Sequence, residues 1–298
     1  MQKTVDPAEL ARSYIEEVRR EVQEHLLNIN VLGLIASTDR PSLSYARATQ
    51  KQFDSVGIHY DLRHIERLDL EQAIEGANED PDIHGIFIYF PVFHGQHDSY
   101  LRNLVDYRKD IEAGSTFWTK KIYVNERFAF DTDASSKALL PCTPLAIVKI
   151  LTQVGRYADD VNEPLQGKTV TIFNRSEVIG RPLAMMMSND GARVYSFDIN
   201  GPLEFKNAVP SETDIDRATA LSESDIIITG VPSDLFEKIG PEEIRQGAIC
   251  VNFSSVNNFS DEVANCAEIY IPRVGPMTVA MCMRNTVRLF HHFHGDRK

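Results

Sequence analysis

The chain is poor in the features that would mark it as secreted, metal-bound or membrane-embedded. Its 298 residues include four cysteines, Cys142, Cys250, Cys266 and Cys282, with no Cys-x-x-Cys pair, which argues against a zinc site or a disulfide framework and for reduced thiols. No apolar run approaches the ~18 residues that a membrane helix needs. The N-terminus carries Asp6, Glu9, Glu16 and Glu17 in an amphipathic pattern, without the apolar core of a secretory signal, so a cytoplasmic protein is expected. Cations are also short. A net charge of -12 leaves little long-range attraction for nucleic acid or anionic lipid, and small molecules are the expected partners. The Gly-x-Gly-x-x-Gly fingerprint, the P-loop and the Gly-x-Ser-x-Gly elbow are all missing. His291, His292 and His294 have no carboxylate or cysteine pattern to complete a metal site, so no metal is expected.

The apolar fraction of 43% and charged fraction of 25% are those of an ordinary globular chain long enough for two α/β domains. After an opening helix over residues 7–27, an apolar run at 31–36, a helical stretch at 42–56 ended by Gly57 and a second run at 58–62 read as a βαβ unit. A further helix at 68–77 leads to the β-branched and aromatic run 83–90, which stops at Pro91, giving a three-stranded parallel sheet. Residues 119–138 show no clear pattern. Thr143 and Pro144 read as the N-cap and first residue of a helix running to about 153. Beyond a polar connector at 157–167, strands at 169–173, 193–197, 225–229, 248–253 and 268–271, with a helix from about 180, describe a second parallel sheet. A final helix is expected over 278–293.

In such a sheet a nucleotide binds beyond the strand ends, where a βα turn presents free N–H groups at a helix N-terminus. That turn is Asn174-Arg175-Ser176 through Gly180, and it has the alternative reading of a plain connection. Asp198 follows 18 residues after Gly180 at the end of the next strand. A carboxylate there accepts hydrogen bonds from the ribose hydroxyls of NAD and repels the 2′-phosphate of NADP. Its alternative is to cap the next turn.

Several blocks in fixed order, Tyr45, the run Gly85 to Pro91, Lys109-Asp110-Ile111-Glu112, Pro141 to Pro144, Arg175-Ser176, Gly180-x-Pro182 and Val274 to Thr278, resemble the methylenetetrahydrofolate dehydrogenase/cyclohydrolase family. The variants at 89–93 and 174–176 are similar to its monofunctional, NAD-dependent branch of yeast type. The resemblance implies an N-terminal α/β folate-binding catalytic domain (1–143 plus the C-terminal helix 276–298), a Rossmann-like doubly wound NAD-binding domain (144–275), a folate in the cleft between them, and a homodimer. It implies Tyr45, Glu112 and Pro276 as folate contacts, and Asn174, Arg175, Ser176, Val178, Gly180, Asp198, Gly230, Val231 and Thr278 as cofactor contacts. Thr49, Tyr89 and Cys142 would line the reacting centre, although Cys142 also reads as a buried small side chain at a helix start.

The departures from the family pattern are informative. Bifunctional members carry a lysine four residues after the tyrosine, and this chain has Thr49; Lys51 sits about 240° round the helix from Tyr45 and does not replace it. Threonine is no acid or base near neutral pH, and Tyr89 stands where the lysine's partner glutamine is usual, so hydrolysis of the methenyl product is expected to be weak or absent. The reading is oxidation of 5,10-methylenetetrahydrofolate with NAD. An NADP-linked bifunctional enzyme would need a lysine at 49 and a basic residue near 198, and a non-catalytic dinucleotide sensor would have lost Tyr45 and Glu112. Ala113 and Pro272-Arg273 stand where relatives usually have glycine.

Overall fold

The structure, a computed structural model, describes residues 3–130, 133–157 and 162–295. Positions 158–161 of the polar connector and the last three residues lie outside the described residues. The chain forms two compact units and passes between them at 10/11, 142/143 and 278/279.

One unit takes the described residues of Met1–Leu10 and Thr143–Thr278. Its eight-stranded sheet runs, in spatial order, Lys3–Thr4, Ile269–Ile271, Ile249–Asn252, Ile226–Thr229, Thr169–Phe173, Arg193–Asp198, Gly201–Lys206 and Val209–Glu212. The first six are parallel. Runs such as Ile226-Ile227-Ile228 are buried on both faces, as β-branched strands of a covered parallel sheet are. The helix Gly180–Asn189 supplies Leu183, Ala184 and Met187 to the core at 0% exposure. From Thr169–Phe173 the chain first adds Arg193–Asp198 on one side and then Ile226–Thr229 on the other, so the strand order reverses here and opens a crevice beyond the strand ends.

Two parts of this sheet differ from the sequence reading. The pair Gly201–Lys206 and Val209–Glu212 is an antiparallel hairpin turned by Asn207 and Ala208, both at positive φ (51° and 62°), a conformation without an Asn-Gly signal in the sequence. Lys3–Thr4 joins the opposite edge of this sheet, so the first residues belong with the second half of the chain. A two-residue strand has no periodicity to announce it.

The other unit takes Ala11–Cys142 and Val279–Lys298, described to residue 295. Its parallel sheet has the order His59–His64, Asn30–Ile35, Gly85–Ile88. Between the first two strands in sequence lies the helix Arg40–Ser55, capped by Asp39, which accepts from Ser42 N at 2.9 Å, and ended by Gly57 at φ +88°. The helix Leu70–Glu79 is closed by a buried lysine: Lys109 Nζ donates to Ala77 O (2.8 Å), Asn78 O (2.9 Å) and Asp80 O (2.6 Å), satisfying the carbonyls that a helix end leaves free. The stretch 119–138 resolves into the end of the helix Thr116–Tyr123 and a hairpin of Phe128–Phe130 with Asp133–Lys137. The helix Cys142–Gln153 begins ahead of the expected Thr143 cap, with Pro144 tolerated in its first turn because the missing N–H would have no partner there. The last helix, Gly275–Leu289, continues as a π-helical turn, Phe290–His294. No helix among the described residues is long and apolar enough to cross a membrane.

Candidate functional site

Tyr45 and Thr49 project from one face of the helix Arg40–Ser55, one turn apart. Tyr45 is 43% exposed as a residue, while burial of its hydroxyl end pushes the phenol up, and its ring meets that of Tyr89 edge-on at 6.0 Å between centres. Thr49 is buried; its hydroxyl donates to Tyr45 O at 3.0 Å and lies near enough to the Tyr89 hydroxyl to lower that phenol's pKa. Tyr89 follows the strand Gly85–Ile88 and its hydroxyl lies 2.7 Å from that of Tyr60. Burial pushes the Tyr89 phenol up to about 12, against the hydrogen bonds from Tyr60 and Thr49, and pushes Tyr60 further up. Neither phenol gives up its proton near neutral pH. They orient what touches them and do not act as bases.

Glu112 sits on the loop after Asp110, which is itself buried and accepts from Ser115 N at 2.8 Å. Shielding from water, then the neighbouring Asp110, push the Glu112 carboxyl up to about 8; Arg102 and a backbone hydrogen bond from Ile88 act the other way. This acid is therefore mainly protonated at pH 7 while unliganded. Ala113, next in the loop, has φ +53°, the left-handed region that explains why glycine is the usual residue there. Cys142 is buried, with Sγ 3.4 Å from Ile111 O and 3.4 Å from Asn285 Nδ2, beside Cys282. Burial raises its thiol well above the usual range, which keeps it a neutral thiol. Tyr89, Glu112, Cys142 and Cys282 all lie near enough to Tyr45 that a negative charge on any of them would disfavour its ionisation. The structure thus gathers the expected folate-side residues of this unit, and adds Tyr60, Asp110 and Cys282, which the sequence reading did not select.

In the sheet unit the turn from Asn174 to Gly180 occupies the crevice at the strand reversal. Asn174 Oδ1 accepts from Ser176 N (2.9 Å) and Asn174 Nδ2 donates to Gly230 O (2.8 Å), tying the turns after two neighbouring strands together. A Cβ on Gly180 would stand 1.9 Å from Asn174 O, so only glycine permits this turn. Ser176 Oγ lies 3.4 Å from both Ile179 N and Gly180 N at the start of the helix Gly180–Asn189, and Val178 is 38% exposed beside them. Gly230 is equally constrained, since a Cβ would meet the Phe253 ring at 1.9 Å; Val231 N donates to Asn258 Oδ1 at 2.9 Å. These close backbone approaches and the helix N-terminus suit the pyrophosphate of a dinucleotide. Pro276 and Thr278 lie in the first turn of Gly275–Leu289, where Thr278 Oγ1 is 3.5 Å from Thr143 Oγ1. Pro272 O accepts from Asn252 Nδ2 at 3.2 Å, while Arg273 pairs with Asp6 at 3.3 Å.

Asp198 ends its strand as expected, and it has a partner that the sequence reading did not supply. Arg175, with a side chain 7% exposed, forks onto it: Nε donates to Oδ2 at 3.0 Å and Nη2 to Oδ1. The same guanidinium donates to Ser196 O (3.0 Å) and Gly201 O (2.9 Å). Asp198 Oδ1 also accepts from Asn200 N at 2.7 Å, so the carboxylate caps the turn after its strand. A ribose hydroxyl can still donate to its remaining lone pairs, whereas a 2′-phosphate would meet a carboxylate and a cation already engaged. The C-terminal histidines point to unrelated partners: His291 to Glu21, His292 to Lys137 O and His294 to Arg108 O.

Two family models match the chain: the catalytic domain of tetrahydrofolate dehydrogenase/cyclohydrolase over residues 5–112 and its NAD(P)-binding domain over 141–294. The chain is 41% identical to methylenetetrahydrofolate dehydrogenase [NAD(+)] of Dictyostelium discoideum, covering 97% of this chain and 94% of that one. It is 39% identical to the enzyme of the same name from Saccharomyces cerevisiae, covering 96% and 95%. The solved structure of the yeast NAD-dependent 5,10-methylenetetrahydrofolate dehydrogenase superposes with a TM-score of 0.92 at 36% identity, covering 100% of this chain and 99% of that one.

Proposed function

The chain belongs to the tetrahydrofolate dehydrogenase/cyclohydrolase family, and from that premise we propose that it is an NAD-dependent dehydrogenase that oxidises 5,10-methylenetetrahydrofolate to 5,10-methenyltetrahydrofolate with little or no hydrolysis of the product. NAD, when bound, supplies the hydride acceptor. The folate nitrogen supplies the electrons that stabilise the cation left behind, so placement carries much of the rate and no dedicated base is needed. Tyr45 offers its ring to the pterin, Glu112 its carboxyl to the pterin amino edge, and Tyr89 with Thr49 a neutral wall at the one-carbon centre. The turn Asn174 to Gly180 receives the pyrophosphate, and Asp198 with Arg175 favours NAD over NADP. We propose a cytoplasmic protein on its four free cysteines, and infer a homodimer from the resemblance.

What supports weak or absent hydrolysis is the pair Thr49 and Tyr89: two neutral hydroxyls stand at the positions where the resemblance puts a lysine and its partner glutamine, and the Tyr89 hydroxyl is held 2.7 Å from that of Tyr60. The test is direct. Purified protein should show an NAD-dependent rise in methenyl absorbance with methylenetetrahydrofolate, and its absence refutes the activity. Methenyl-folate hydrolysis should be negligible in the wild type when compared with Thr49→Lys; substantial wild-type hydrolysis refutes the account of Thr49.

A further inference from the structure

Tyr60 has no assigned part in the reaction, yet the fold fixes it from every side. Its backbone is tied to the helix Arg40–Ser55 twice: Tyr60 N donates to Asp54 Oδ1 at 3.2 Å and Tyr60 O accepts from Gln50 Nε2 at 2.8 Å. Phe53 packs on the ring with centres 5.0 Å apart, and the side chain is 1% exposed. The hydroxyl end passes over Gly33 in the buried strand Asn30–Ile35. A Cβ at Gly33 would lie 2.4 Å from Tyr60 Cε1 and 2.5 Å from its hydroxyl oxygen. Glycine weakens the middle of a strand, and here it leaves the space that the phenol fills.

What that space achieves is the 2.7 Å contact with the Tyr89 hydroxyl. The other acceptor near Tyr89, Ala46 O, is 3.5 Å away, at the outer limit of a hydrogen bond. Tyr60 is thus the short, rigid partner of Tyr89, and the Tyr89 ring is further wedged by Phe87 at 4.7 Å. A buried hydroxyl held on two sides has one orientation, and a ring so held presents one edge.

We propose that Tyr60 is a positioning residue that acts through Tyr89, fixing from behind the wall against which the one-carbon centre of the folate rests. The proposal rests on the dehydrogenase reading given above. It predicts a dependence on a hydroxyl that touches neither folate nor NAD.

The experiment compares the full chain with Tyr60→Phe, Tyr89→Phe, the double variant and Gly33→Ala, measuring kcat and KM for methylenetetrahydrofolate and for NAD, with thermal unfolding as a check on folding. Tyr60→Phe keeps the ring and its packing. It should lower kcat/KM for the folate about five- to tenfold, the size expected when one buried hydrogen bond is lost, and leave KM for NAD unchanged. In the Tyr89→Phe background it should have no further effect, because its influence runs through that hydroxyl. Gly33→Ala, which displaces the phenol without removing it, should lower the folate kcat/KM at least as much. A folded Tyr60→Phe with wild-type kinetics overturns the proposal, as does a loss that multiplies with that of Tyr89→Phe, the mark of a role in general packing. An inactive wild type overturns the dehydrogenase reading and this proposal together; an active wild type with multiplicative variants overturns this one alone.

Discussion

Replacing Asp198 by serine should turn the cofactor preference toward NADP, by an amount that Coulomb's law sets at an assumed separation and with Arg175 as the partner released. At an effective dielectric of about 20, a carboxylate about 6 Å from one phosphate charge is disfavoured by about 3 kcal/mol. That is roughly a hundredfold in affinity. The Asp198 side chain is 22% exposed, so water and salt reduce the effect, and the ratio of kcat/KM for NADP to that for NAD should rise between about tenfold and a hundredfold. The substitution also frees Arg175, which remains anchored by Ser196 O and Gly201 O but loses its counter-charge. Stability should fall by about 1–3 kcal/mol, because a buried guanidinium is left partly unpaired. Steady-state kinetics with both cofactors at two salt concentrations gives the ratio, and adding Arg175→Gln separates its causes. If Arg175 grasps the 2′-phosphate once released, the double variant loses most of the gain and its salt dependence. An unchanged preference in Asp198→Ser would refute the reasoning and leave Asp198 as the cap of Asn200.

Three further outcomes follow from other groups. Glu112 has its folded value near 8 against an ordinary 4.5, so the native state holds a proton that the unfolded chain releases; stability from this site is full below about pH 4.5 and declines as pH rises to about 8. Glu112→Gln should flatten that decline in thermal unfolding across pH 5–8, and an unaltered slope contradicts it. Ala113→Gly should raise stability by about 1 kcal/mol, since φ is +53° there, and a lower midpoint in urea would show that the lost methyl outweighs the relieved strain. Lys109→Met should destabilise by about 2–4 kcal/mol, because three carbonyls at the end of Leu70–Glu79 lose their donor; wild-type stability would show that water replaces the ammonium.

The two parallel sheets were legible because buried parallel strands must be β-branched and continuous, as Ile226-Ile227-Ile228 and the run ending at Phe173 are. Asp198 was legible as a strand-end carboxylate, and Tyr45 with Thr49 as one helical face. What sequence spacing does not carry is which groups meet when strands are laid side by side. Arg175 reaches Asp198 across 23 positions from the adjacent strand, and Tyr60 reaches Tyr89 across 29 positions over the strand Asn30–Ile35 that lies between theirs. One signal for the second pair was present: Gly33, a lone glycine inside an apolar strand, is the trace of a group that approaches its backbone closely. The hairpin at Asn207 and Ala208 left no comparable trace, since its positive φ values fall on residues other than glycine.

The protonation states on the folate side have a consequence for the direction of binding energy. Burial pushes Tyr60, Tyr89, Cys142, Cys282 and Glu112 alike toward their uncharged forms, so the free site is close to neutral at pH 7. Of these, Glu112 alone has a value close enough to neutrality to change state during turnover. A reduced folate donates hydrogen bonds from its pterin amino group, and its oxidation places a positive charge on the one-carbon bridge; both favour the carboxylate over the acid. If Glu112 holds the pterin as proposed, binding and hydride loss would favour release of its proton to solvent, and the carboxylate would be most favourable as the cation forms, the kind of differential stabilisation that accelerates a reaction. On this account KM for the folate falls as pH rises through about 8 and the fall is abolished in Glu112→Gln, whereas a KM independent of pH in the wild type would mean that the acid holds the pterin in its protonated form throughout.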